Sequence, residues 1–140
     1  MRTTEEEFAE RFAEVWKHPS VEELIALLHP DVVLYQPHLP VMHGRAAARE
    51  EFQRLLRWLP DFRGHVERFR GSDGVVFVEW RMWFPIGRKG VSIGAVDRFV
   101  LKDGLAIERA VYFNQLPLVI AILSHPGSWF GFQKYRFGRD

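Results

Sequence analysis

Residues 75–84 read VVFVEWRMWF, and the alternation in this stretch decides the class of fold. Val76, Val78, Trp80, Met82 and Phe84 lie on one side of an extended chain whose successive side chains point to opposite faces, while Glu79 and Arg81 lie on the other. This is a half-buried strand with its apolar face inward. The same period of two runs on from Phe62. Ser72-Asp73-Gly74 and Lys102-Asp103-Gly104 stand between apolar runs as hairpin turns, because Asp-Gly accepts the left-handed backbone that a tight turn requires. The second half of the chain is therefore expected to be an antiparallel sheet.

Upstream of Phe62 the spacing is helical. Thr4 followed three residues later by Glu7 is a capping box, and Phe8, Phe12, Val15 and Trp16 then form one apolar stripe against Glu10, Glu14 and Lys17. Pro19 breaks this helix, and Ser20 with Glu23 repeats the capping pattern ahead of Val21, Leu24, Ile25 and Leu28. His29-Pro30-Asp31 stops the second helix. Val32 to Tyr35 is β-branched and aromatic enough for a short strand, with a loop from Pro37 to Gly44 behind it. A third helix is expected from Arg45 to Leu59, striped by Ala48, Phe52, Leu55, Leu56 and Leu59 and ended by Pro60. Helices first and strands afterwards predict an α+β domain with its helices packed on one face of a curved sheet.

The chain has 140 residues and 47% apolar content, enough for one domain with one core. Its 19 basic and 18 acidic side chains leave a net charge of +1, so no overall field draws nucleic acid or an anionic membrane. With no cysteine, disulfides, thiolate nucleophiles and Cys-ligated zinc are excluded, and a reducing compartment fits. The start, MRTTEEEF, lacks the basic and apolar run of a secretory signal, and the longest nearly pure apolar run is Leu116 to Leu123. A cytoplasmic, unanchored protein is expected.

Residues 116–140 differ in texture from residues 1–115. LPLVIAIL is apolar all round, with Pro117 suited to a first helical turn, and the remainder mixes aromatics with Lys134, Arg136 and Arg139. The tail is expected to pack on the domain or in a dimer. Contact with a membrane surface is the alternative, disfavoured because so short a segment buries little area in lipid.

The segments VVLYQP (32–37), MHGR (42–45), VVFVEWRMWF (75–84) and AVDRFVLKDGLAIERAVYFN (95–114), in this order after helices, resemble the SnoaL-like polyketide cyclases. Those cyclases lie in the wider nuclear-transport-factor-2-like superfamily, with ketosteroid isomerase and limonene epoxide hydrolase. The resemblance covers residues 4 to 114. It implies a cone-shaped barrel of curved, mixed, mainly antiparallel sheet with three N-terminal helices around a pocket, usually as a dimer. Enzymes and non-enzymes share this fold, so the site must decide function.

Carried over residue by residue, the resemblance leaves few catalytic groups. Gln36 before Pro37 stands where the isomerase branch has its base, and Phe12 stands where that branch has an oxyanion-hole phenol. Asp97 matches the other oxyanion-hole member. Val111 replaces the carboxylate of the cyclases and the hydrolase, and Trp80 and Met82 fall near the hydrolase's Arg and Asp. The implied pocket wall comprises Phe12, Trp16, Tyr35, Gln36 and Phe52, with Trp80, Met82, Val111 and Phe113.

Alternation groups Asp97 with Ala95, Phe99 and Leu101, but both faces of that strand carry apolar residues, so periodicity does not orient it. A close turn at Asp103-Gly104 makes Arg109 its cross-strand neighbour on the same face. The pair is then either a pocket carboxylate oriented by a guanidinium or a structural ion pair in the pocket wall. His38 is a candidate for proton exchange at the pocket rim, or a loop histidine bonded to solvent or backbone. The six histidines show no metal-ligand spacing, so neither a metal nor another cofactor is expected.

Glu79, Arg81 and Arg98 read as ion pairs on the outer face. Trp83, Val96, Val100 and Tyr112 share that face and predict an apolar patch that closes a homodimer. The expected function is binding of an apolar, cyclic small molecule, with cofactor-independent proton transfer of isomerase, cyclase or dehydratase type at Asp97, Arg109 and His38. A non-catalytic carrier or sensor using the same pocket, and a protein-interaction module, are the alternatives.

Overall fold

The computed structural model describes residues 2–37 and 39–138. The first helix, α1 (Thr4–Val15), is capped by Thr3, whose side chain accepts from the Glu6 backbone N–H at 3.1 Å. The cap expected at Thr4 thus falls one residue earlier, at Thr3, which has the extended backbone of a cap. In α2 (Val21–Ile25) the Ser20 cap is as expected: its hydroxyl accepts from Glu23 N and donates to the Glu23 carboxylate.

Leu28 was expected on the helix and instead opens strand β1 (Leu28–Tyr35). Tertiary pairing overrides the helical spacing here. The Ala106 N–H bonds the Leu27 carbonyl at 2.9 Å, and the Arg45 Nε donates to the Leu28 carbonyl at 2.9 Å. Pro30 is tolerated inside β1 because the pairing register breaks between Leu28 and Val33, where no ladder bond needs its missing N–H. A two-residue strand β2 (Met42–His43) then leads into α3 (Gly44–Trp58).

Four long strands follow: β3 (Arg63–Ser72), β4 (Val75–Phe84), β5 (Val91–Lys102) and β6 (Leu105–Phe113). Both Asp-Gly turns are present, with Asp73 and Gly74 at φ 54° and 79° and Asp103 and Gly104 at φ 55° and 76°. The strand order is β2-β1-β6-β5-β4-β3, antiparallel except for β1 against β6. The sheet is mixed and mainly antiparallel, as expected for the cone, and its six strands do not close on themselves. Its edges are the very short β2 and the charge-rich β3, both poor templates for further strands.

The inner face of β4 is buried at every expected position, from Val76 to Phe84. Across it lies the stripe of α1: Phe12 meets Trp80 edge-on at 5.1 Å and Phe99 at 5.2 Å, and Trp16 meets Trp80 at 5.1 Å. Beyond β6 the chain forms α4 (Leu116–Ser124), with Pro117 in its first turn, a 3-10 turn at Pro126–Ser128, and α5 (Trp129–Phe137). The Trp129 indole N–H donates to the Ile122 carbonyl and ties α5 to α4. Phe132 and Tyr135 pack on Trp58 of α3, so the tail lies against the domain.

Candidate functional site

The inner faces of β4, β5 and β6 carry the site. The register sets Asp97 between Val78 and Val111 and sets Arg109 opposite Phe99, so Asp97 and Arg109 are diagonal neighbours on the inward face. Arg109 Nε donates to Asp97 Oδ2 at 2.8 Å, and its Nη2 lies 2.7 Å from the same oxygen. Trp80 Nε1 donates to Oδ1 at 2.8 Å. Asp97 is 0% exposed and Arg109 5%. Burial pushes the Asp97 carboxyl above its ordinary range, against the Arg109 charge and the bonds from Trp80 and Arg109, which pull it back.

Above this pair is a cavity of about 130 Å³, bounded by the sheet, α3 and the tail helices. Arg109 and Trp80 form part of its wall, whereas Asp97 is not among the lining residues. The carboxylate therefore stands behind the wall and fixes the two side chains that face inward. The Nε–Nη2 edge of the guanidinium is turned to Asp97, which leaves Nη1 on the opposite edge.

Of the residues expected in the pocket, Trp16, Gln36 and Phe52 line the cavity, as do Met82, Val111 and Phe113. Phe12 lies one layer deeper, against Trp80 and Phe99. Tyr35 is on the other side of the sheet and 41% exposed. In β1 it is Val32 and Leu34 that point inward and are fully buried, so alternation turns Tyr35 out. His38 lies outside the described residues. No group of three His, Asp or Glu side chains able to hold a metal occurs among the described residues.

Sequence reading missed a second polar group in the wall. Glu51 of α3 is 2% exposed, and its Oε1 accepts from the Tyr135 hydroxyl at 2.6 Å. Both residues line the cavity. A signal was present, since Glu51 sits within the stripe of Ala48, Phe52 and Leu55, a position where a solvated carboxylate has no place. Tyr135 carried no comparable signal. It reaches Glu51 because its ring stacks on Trp58 at 5.0 Å and 23°, with Phe132 on the same indole at 5.5 Å. Gly131 permits this approach, as a Cβ there would come within 2.7 Å of Trp58 Cδ1.

On the outer face, the ion pairs join other partners than those grouped from the sequence. Arg98 Nη2 donates to Glu108 at 2.9 Å, Arg68 pairs with Glu79 at 3.1 Å, and Arg81 donates to Ser92. Around them Phe77, Val96 and Tyr112 are exposed. Trp83 is partly covered by the Arg63 guanidinium, 4.2 Å from its ring centre. No helix among the described residues is long and apolar enough to cross a membrane.

Residues 9–109 match the family model described as SnoaL-like domain. Among solved structures, similarity extends to TerC co-crystallised with polyporic acid, at 17% identity and a TM-score of 0.76 over 86% of this chain and 99% of that one. A candidate SnoaL-like polyketide cyclase from Jannaschia sp. CCS1 shares 19% identity with a TM-score of 0.74, covering 87% and 96% of the two chains. A protein of ketosteroid isomerase-like fold from Catenulispora acidiphila, in complex with trimethylamine, shares 12% identity with a TM-score of 0.72, covering 86% and 92%. No curated protein matches this chain. At these identities the structural likenesses establish the fold alone.

Proposed function

Because this chain belongs to the SnoaL-like domain family, we propose that its cavity binds an apolar, cyclic small molecule about one ring in size. The observation that carries this reading is the wall itself. Nine aromatic side chains line the cavity, from Trp16 at the C-terminal end of α1 to Tyr135 on α5, around a few polar groups that include Arg109. A volume of about 130 Å³ compares with the roughly 150 Å³ of an apolar cavity that takes up benzene. The polyporic acid and trimethylamine complexes of two relatives support a small organic ligand for the fold.

Proton-transfer chemistry on such a ligand is the catalytic form of the reading. Arg109, oriented by Asp97, supplies a fixed positive charge for a developing oxyanion. A carrier or sensor is the second form, supported by the replacement of the family's base positions at Gln36 and Val111. No cofactor enters either form, and absence of cysteine supports a cytoplasmic setting for both. Titration with toluene or cyclohexanone should change the tryptophan fluorescence saturably, because Trp16, Trp58 and Trp80 all line the cavity. Lack of any saturable change with either probe would overturn the reading.

The outer sheet face is proposed as a homodimer interface, since Phe77, Val96 and Tyr112 together leave apolar surface uncovered. Light scattering at micromolar concentration should then report twice the 16.4 kDa chain mass. Tyr112→Glu, at a position 57% exposed, should give the monomer with its melting temperature little changed. A wild-type monomer at high concentration would remove the interface.

A further inference from the structure

Each tail helix buries one side and exposes an apolar one. In α4, Leu118, Ala121 and Ile122 pack on the core, while Leu116, Val119, Ile120 and Leu123 recur at i, i+3, i+4 and i+7 and stand exposed. A stripe at that spacing is the side of a helix that is ordinarily buried. In α5, Phe132 and Tyr135 pack on Trp58, and Trp129, Phe130 and Phe137 remain exposed, Phe130 at 78%. The two exposed sides meet along a groove lined by Val119, Leu123, Trp129 and Phe137, so they form one continuous apolar surface.

The rim of this surface is basic. Residues 116–138 contain Lys134 and Arg136 and no Asp or Glu. Lys134 follows Phe130 by four positions and precedes Phe137 by three, which sets it on the same side of α5. The Arg136 guanidinium carbon lies 5.2 Å from the centre of the Phe137 ring. Lys134 also borders a groove between α3 and α5 with the exposed Arg57, and there Glu50 is already held by Arg54 at 3.1 Å. Arg57 and Lys134 are left without an ion-pair partner among the described residues.

We propose that the outer face of α4 and α5 rests on an anionic lipid surface. Its apolar side chains enter the boundary between headgroups and acyl chains, and Arg57, Lys134 and Arg136 meet the lipid phosphates. The objection that a short segment buries little area in lipid applies to one helix, whereas the fold sets two side by side. A second copy of the chain fits this face less well, since pairing two such faces brings one basic, acid-free rim against another. The contact lies in the plane of the interface, as neither helix is long enough to cross. Lipid contact here is independent of what the cavity binds.

The test is co-sedimentation of the full chain with vesicles. Equal parts of phosphatidylcholine and phosphatidylglycerol should carry the chain down, phosphatidylcholine alone should bind it at least about tenfold more weakly, and high salt should remove the difference. Lys134→Ala and Arg57→Ala should each weaken binding about fivefold. Leu123→Gln combined with Phe130→Gln should weaken it on the order of 100-fold. The melting temperature should not move, because both side chains are exposed. Brominated acyl chains should quench part of the tryptophan fluorescence of the wild type and none of that of Trp129→Phe, which locates the contact at α5. A chain that stays in the supernatant overturns the proposal, as does equal binding to the two kinds of vesicle or undiminished binding by the Leu123 and Phe130 pair of substitutions. A solution mass that this pair halves overturns it too, by showing that a second copy covers the face. If the double variant does not fold, undiminished binding by Lys134→Ala is enough to reject the lipid contact.

Discussion

Replacing Arg109 with leucine is expected to destabilise the domain by about 3–5 kcal/mol, because it leaves a buried carboxylate without its charge partner. Asp97 has no exposed surface on which to recover hydration. The Trp80 indole would remain as a neutral donor to Oδ1. Replacing both partners, Asp97→Leu with Arg109→Leu, should recover most of the loss, since removing both charges also removes the cost of burying them. The residual deficit should be the indole N–H left without an acceptor, about 1–3 kcal/mol. Denaturant titration of the two single variants and the double variant measures the coupling directly.

The pH dependence of the Arg109→Leu variant has a definite sign. Burial raises the folded-state value of Asp97, and the guanidinium is the largest influence that opposes it. Without the guanidinium the folded value moves further above the unfolded one. The folded state then favours the protonated carboxyl, and this contribution is fully present below the unfolded value and lost as pH rises through the folded value. Arg109→Leu should therefore lose stability relative to wild type on going from mildly acidic to mildly alkaline buffer. A difference that is flat across that range, or that grows toward acid, would show that the pair does not carry the ionic energy assigned to it.

Trp80→Ala is expected to cost a similar amount, about 3–5 kcal/mol, through a different route. The indole is 1% exposed and serves three purposes: it meets Phe12 and Trp16 at 5.1 Å each, bonds Asp97, and forms part of the cavity wall. Truncation merges the space it occupied with the cavity above. The variant should accept a larger ring than the wild type while melting at a lower temperature. Trp80→Phe keeps most of the packing and removes the bond to Asp97, so it should cost less, about 1.5–3 kcal/mol for a hydrogen bond to a charged group. Equal losses for the two variants would mean that the hydrogen bond, and not the packing, dominates at this position.

Gly64 belongs to the same arrangement. A Cβ at that position would come within 2.2 Å of the Trp80 ring, so β3 offers the indole a floor that only glycine leaves open. Nothing in the local sequence around Gly64 announces this. The glycine reads as an ordinary interruption in a strand until the Met82 register brings it under the neighbouring tryptophan.

Much of the architecture was legible because it depends on interactions between near neighbours in the chain. The Ser20 cap, both Asp-Gly turns and the inward face of β4 follow from spacing of one to four residues, and each occupies its expected place. Leu28 and Tyr35 were misread where that locality ends. Leu28 fits a helical stripe until β6 supplies a pairing partner, and Tyr35 fits a pocket aromatic until alternation within β1 places Leu34 inside instead.

The candidate site divides along the same line. The pairing of Asp97 with Arg109 could be anticipated because a tight turn relates their strands at short range, and the structure adds only the inward direction, which apolar residues on both faces had concealed. Glu51 and Tyr135 are separated by 84 positions, and no local rule relates them. What the sequence by itself determined was the order of helices and strands, the apolar faces and the hairpin turns, since propensity and periodicity act over a few residues. Only the tertiary structure decided that the tail folds back over α3, that Tyr135 meets a buried Glu51, and that Asp97 stands behind the cavity wall, because long-range packing sets which apolar faces share a common interior and which polar groups must then satisfy one another there.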